Sequence, residues 1–167
     1  VLMGYINPVF RMGINKFLEK CRDTGIDGVI IPDFPVDEYK EQYREAFRKA
    51  GVHNILLVTP QCSDERIREL DDLTGGFLYF VSSYSTTGNK KEFEKTQLEY
   101  FERLRNMKLK HQGLIGFGIS DYKNFRKACD FASGGIVGSA FINALGEKGR
   151  LEDKISNFVD TMLNPQS

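Results

Sequence analysis

Gly116-Phe117-Gly118-Ile119-Ser120, followed some twenty residues later by Gly134-Gly135-Ile136-Val137-Gly138-Ser139-Ala140, is the pair of stretches on which the rest of the chain depends. Each is a short apolar strand running into glycine, where a backbone can come close to a ligand. Each then opens into a helix-like segment whose first N–H groups lack an intrahelical acceptor and carry the positive end of the helix dipole. Two such ends converging on one point make a site for a phosphate group. Two ordinary βα turns, with no ligand, are the alternative reading.

The chain has 167 residues, 41% of them hydrophobic, enough to bury one substantial core, so a single domain spanning 1–167 is expected. Its 23 basic and 23 acidic residues balance, which argues against a nucleic-acid or membrane-surface partner. No apolar run approaches the roughly 18 to 20 residues of a spanning helix, and a secretory signal is missing, so a cytoplasmic location is expected. Cys21, Cys62 and Cys129 are widely spaced and odd in number, without a C-x-x-C pair or a histidine cluster beside them. They read as buried or incidental thiols, and no metal site is expected. His53 and His111 each precede a predicted strand among polar neighbours and read as surface positions.

Val1 to Ile6 reads as a short buried strand stopped by Asn7-Pro8, with a loop after it. Ile14, Phe17, Leu18 and Cys21 then recur at helical spacing up to Thr24-Gly25. Gly28 to Ile31 is too short and too apolar for a half-exposed strand and fits a parallel sheet covered on both faces. A charged helix over 36–50 places Tyr39, Tyr43 and Phe47 four apart on one face. Strands over 55–58, 77–81, 114–116 and 135–137 alternate with helices over 63–73, 93–107, 121–129, 139–145 and 152–163. Six βα units result, with short links.

A (β/α)₈ barrel has eight such units, and its last two βα loops often hold a substrate phosphate. If the two glycine turns follow strands seven and eight, the six strands are three to eight, and the barrel lacks its first two βα units. The chain opens on Val1-Leu2-Met3 in strand-like sequence, as that numbering implies. A doubly wound sheet of six strands would explain the count differently. Such sheets usually carry their phosphate fingerprint on the first βα turn, and here that turn is Asn7-Pro8.

With the strand ends aligned, the chain resembles the tryptophan synthase alpha subunit family. The resemblance rests on Leu2-Met3-Gly4-Tyr5-Ile6-Asn7-Pro8, Gly25-Ile26-Asp27-Gly28, Pro32-Asp33-Phe34-Pro35, Thr87-Gly88, Gly116-Phe117-Gly118-Ile119-Ser120 and Val137-Gly138-Ser139-Ala140, in family order over nearly the whole chain. It implies a (β/α)₈ barrel of tryptophan biosynthesis that cleaves indole-3-glycerol phosphate to indole and glyceraldehyde 3-phosphate. Indole then passes to a pyridoxal-phosphate beta subunit, so this chain itself carries no cofactor.

Carried over, the resemblance implies a phosphate held by backbone N–H groups around Gly88, Gly118, Gly138 and Ser139. It implies an indole pocket at Met3, Ile30, Leu57 and Phe117, with Tyr79 reaching the substrate's polar middle. Thr87 falls in a polar loop long enough to act as a lid, although Ser85 and Thr86 stand where the family has a glycine and an aliphatic residue. Asn7, Phe10, Asp33 and Pro35 are implied to face the beta subunit; for Asp33, capping of the helix after Pro35 is the alternative.

The family's cleavage uses a glutamate on the second strand and an aspartate in the loop after it. The chain contains no Glu-x-Gly-x-Pro-Phe-Ser-Asp stretch, and its other acids fall mainly on charged helix faces. Little or no lyase activity is therefore expected of this polypeptide alone. Open sheet edges would favour self-association. Two other functions compete: a non-catalytic module that binds phosphate or docks on a beta subunit, and another phosphate-binding barrel enzyme using Asp33 or Tyr79.

Overall fold

The structure, a computed structural model, describes residues 1–82, 95–116 and 118–164. The strands are β1 (Leu2–Met3), β2 (Gly28–Ile30), β3 (His53–Val58), β4 (Phe77–Val81), β5 (Gln112–Gly116) and β6 (Gly134–Ile136). Helices α1 (Ile6–Met12) and α2 (Ile14–Asp23) follow β1; α3 (Val36–Glu38), a π turn (Tyr39–Tyr43) and α4 (Arg44–Ala50) follow β2. Then come α5 (Asp64–Leu73), α6 (Lys95–Asn106), α7 (Tyr122–Cys129), α8 (Ser139–Leu145) and α9 (Leu151–Leu163). The six strand-then-helix units read from the sequence are all present.

The strands are hydrogen-bonded in chain order, β1-β2-β3-β4-β5-β6, and the β1–β2, β2–β3 and β5–β6 pairs are parallel. A doubly wound sheet reverses its strand order at a switch point. Here every new strand is added at the same edge, which is the winding of a barrel and not of a two-way sheet. Among the described residues, no helix is long and apolar enough to cross a membrane.

The residues fall into two compact units. The first comprises Val1–Val58, Cys62–Tyr79 and Lys110–Gln112. Its core joins Ile14, Leu18 and Cys21 of α2 to Val29 of β2 and Phe47 of α4. Tyr39 packs edge-on against Phe47 at 5.3 Å between centroids, and Phe34 lies 5.7 Å from Tyr43, so the aromatic face read from the sequence is real. The helix beneath it is interrupted by the π turn, which spacing alone does not reveal.

The first strand differs from expectation. It is two residues long and open to solvent, with Leu2 45% and Met3 54% exposed, and Asn7-Pro8 lies inside α1 instead of ending a strand. Proline fits there because the first helical turn has no acceptors for its N–H groups. The N–H that opens α1 is satisfied from a distance: Ile6 N donates to Asp33 Oδ1 at 2.9 Å. Asp33 thus serves α1, whereas α3 begins after Pro35 with no side-chain cap.

The second unit comprises Thr59–Gln61, Phe80–Leu109 and Gly113–Ser167. Asp121 caps α7 by accepting from Asn124 N at 2.9 Å. Phe141 of α8 and Phe158 of α9 pack at 5.3 Å. Gly113 admits no side chain, since a Cβ there would fall 1.9 Å from the Phe80 ring.

Candidate functional site

The β5–β6 register pairs Leu114 with Gly134, Ile115 with Gly135 and Gly116 with Ile136. Adjacent parallel strands in register end at one level. Residues 118–121 and 137–138, which come after these strands, therefore lie beyond neighbouring strand ends. Ile119 packs over Gly135 of β6: a Cβ there would lie 2.5 Å from Ile119 Cδ1, so a side chain at 135 would make Ile119 shift.

Gly118 has φ +78°, a left-handed conformation that L side chains rarely adopt, and its position is exposed. Gly138 and Ser139 are exposed too, and Gly138 precedes α8 with no side-chain cap over the helix end. The first N–H groups of α8 thus have no intrahelical acceptor. A third strand end joins them. Ser82, the residue after β4, donates its N–H to Gly116 O at 3.2 Å, and a Cβ on Gly118 would lie 3.8 Å from Ser82 Oγ. Gln97 Nε2 of α6 donates to Ser82 O at 2.5 Å and fixes that end.

Three neighbouring strand ends of the second unit thus lie in a row, with Gly118 following β5 beside Ser82 and Gly138 and Ser139 following β6. Ser82 was not singled out in the sequence, although a small hydroxyl residue directly after a strand was its signal. Thr87, Gly88 and Phe117 lie outside the described residues.

In the first unit, Met3 pairs with Ile30 and Ile30 with Ile55, so these side chains share one face of the sheet, and Leu57, two residues on, shares it too. The core cluster with the helices uses Val29 and Ile31, the opposite parity. Met3, Ile30 and Leu57 therefore form an apolar strip on the face away from the helices. Met3 is exposed, Leu57 half-buried and Ile30 buried. Tyr79 of β4 is buried, and burial pushes its phenol above the usual range, so it stays protonated near neutrality.

Asn7, Phe10, Asp33 and Pro35 are all exposed and lie on neighbouring segments. Asp33 bonds α1, and Phe10 meets Phe34 edge-on at 6.1 Å. Among the described residues no group of three or more histidines, cysteines or acids is placed to hold a metal ion.

A family model described as tryptophan synthase alpha chain matches residues 1–165. The chain is 48% identical over 159 residues to the tryptophan synthase alpha chain of Flavobacterium psychrophilum, covering 95% of this chain and 62% of that protein. It is 44% identical over 156 residues to that of Bacteroides fragilis, covering 93% of this chain and 59% of the relative. Among solved structures, it superposes on a chain of the Pyrococcus furiosus tryptophan synthase α2β2 complex with a TM-score of 0.84 at 33% identity. That match covers 97% of this chain and 66% of the other. The chain thus spans about three fifths of the length of these curated relatives.

Proposed function

The chain belongs to the tryptophan synthase alpha chain family, and from that premise we propose that it forms the phosphate-holding strands, third to eighth, of a barrel lyase acting on indole-3-glycerol phosphate. The observation that carries the proposal is the β5–β6 register, which sets the Gly118 and Gly138-Ser139 turns side by side. Backbone N–H groups there, with Gly88 by resemblance, hold the substrate phosphate, and Thr87 belongs to the covering loop. Met3, Ile30 and Leu57, with Phe117 by resemblance, form the wall for the indole ring. Tyr79, as a protonated phenol, offers a hydrogen bond to the substrate's polar middle. The chain is one cytoplasmic domain of tryptophan biosynthesis, without a cofactor of its own. It carries the phosphate grip but not the proton-moving acids.

Glycerol 3-phosphate binding tests the grip. Gly138→Glu adds a carboxylate where nothing lies within 4 Å of a Cβ, so the fold has room for it while like charge repels the phosphate. By calorimetric titration the variant should bind at least about tenfold more weakly than the parent. Equal affinity would remove the grip from this place.

The exposed α1 face and the Asp33–Pro35 turn are proposed to dock a beta subunit, as the P. furiosus relative assembles into an α2β2 complex. The exposed strand β1 and the apolar residues Ile142, Leu151, Ile155 and Val159 favour self-association when no partner is present. Sizing chromatography with light scattering should give a mass above the monomer for the chain alone. Adding a beta subunit should produce a joint peak that Phe10→Asp abolishes. A monomer that ignores the beta subunit would contradict both statements.

A further inference from the structure

We propose that the cavity of the first unit, between the π turn with α4 and the start of β3, binds a small neutral planar molecule presenting an amide-type edge, one N–H beside one C=O. The cavity holds about 570 Å3, within the span usual for small-molecule sites. Its lining includes His53 and Asn54, at the end of β3 opposite Leu57, so it is separate from the apolar strip that Leu57 helps to form. Tyr39, Phe47 and Leu73 supply apolar walls.

Asn54 is 2% exposed, and neither Nδ2 nor Oδ1 of its side chain makes a hydrogen bond. Its partner across β2–β3 is Val29, a member of the core cluster that contains Phe47, so the Asn54 side chain lies on the helix face of the sheet, the side of the cavity walls. A buried donor and acceptor left unpaired together destabilise a fold, and an apolar residue of the same size would avoid that cost. The second mark is the π turn Tyr39–Tyr43, which lines the same cavity; single π turns inside α-helices recur at functional sites.

The chemistry of the occupant follows from what remains unpaired. A carboxamide offers N–H and C=O side by side, and the matching group is another amide edge, as in a carboxamide or a nucleobase, joined by two parallel hydrogen bonds. The three cations of the lining are already engaged, Lys40 with Glu69 at 2.9 Å, Arg48 with Glu45 at 2.7 Å, and Arg44 through a hydrogen bond to Asp72 O at 2.9 Å. A neutral ligand suits that wall better than an anion. Tyr39 and Phe47 favour a flat ring.

Nicotinamide and uracil serve as probes, titrated into the full chain and followed by saturation-transfer NMR. The ring without the amide, 3-methylpyridine, is the control. Nicotinamide should bind at least about tenfold more tightly than 3-methylpyridine, and Asn54→Leu should remove about tenfold of that affinity without lowering the melting temperature. Equal binding of amide and control, unchanged affinity in Asn54→Leu, or no binding of either probe would overturn the site. Should Asn54→Leu fail to fold, the comparison of nicotinamide with 3-methylpyridine in the parent chain decides.

Discussion

Supplied with indole-3-glycerol phosphate, the purified 167-residue polypeptide should release indole at least about 10²-fold more slowly than an intact alpha subunit, the low end of what general acid–base catalysis contributes. Cleavage requires a group that moves a proton between the glycerol hydroxyl and indole C3, and a second that stabilises charge developing on the ring nitrogen. Six acids of this chain are engaged in holding the fold or its surface pairs. Asp33 accepts from Ile6 N, Asp121 caps α7, and Asp71 is bonded to the 110–111 backbone. Glu45, Glu69 and Asp72 are held below the usual carboxylate range by hydrogen bonds from Arg48, from Lys40 and Arg66, and from Lys110. Carboxylates so stabilised are poor bases. Tyr79 is shifted the other way, so its phenol is not a base near neutrality either. Turnover at the rate of an intact alpha subunit would show that an acid of this chain does the proton work after all.

Replacing Asp71 with alanine should destabilise the chain by about 3 kcal/mol, lowering Tm by roughly 6 to 12 °C for a domain of this size. The carboxylate is almost wholly buried, with its side chain 4% exposed. Its Oδ2 accepts from Lys110 N at 2.7 Å, and its Oδ1 accepts from His111 N at 3.0 Å, with His111 Nδ1 3.1 Å away. One side chain on α5 therefore fixes the segment that leads into β5, and beside it Lys110 forms an ion pair with Asp72. Asp71→Asn should cost nearly as much, because its amide nitrogen would face a backbone donor. Urea or thermal melts of both variants are the measurement. A change within about 0.5 kcal/mol, the range of an ordinary surface substitution, would mean the latch does not support the fold.

Asp71 also shows where one-dimensional reading stops. From sequence, 63–73 is a capped helix and its acids lie on a charged face; the cap is there, with Ser63 Oγ accepting from Arg66 N at 3.2 Å. That Asp71 turns inward depends on a segment about forty residues away. Its polar neighbours make His111 a surface residue in sequence, whereas the structure half-buries its side chain against Asp71. Asp33 is a comparable case. Its position at a strand end suggested a helix cap or a partner contact, but its bond goes to Ile6, 27 residues earlier.

Local chemistry, by contrast, was enough for the strand–helix alternation and for the two glycine turns. Gly25 and Gly51 end helices through positive φ, which only backbone freedom decides. Gly118 combines positive φ with an exposed strand end, and the family motif around it is continuous in the chain. Most element types, their order and the two glycine turns were legible because each depends on neighbours within a few residues. The inward turn of Asp71, the tie from Asp33 to α1, the unpaired Asn54 and the apposition of Ser82 to Gly118 were not. Those depend on which distant atoms share space once hydrophobic burial has closed the chain, and no local preference encodes that.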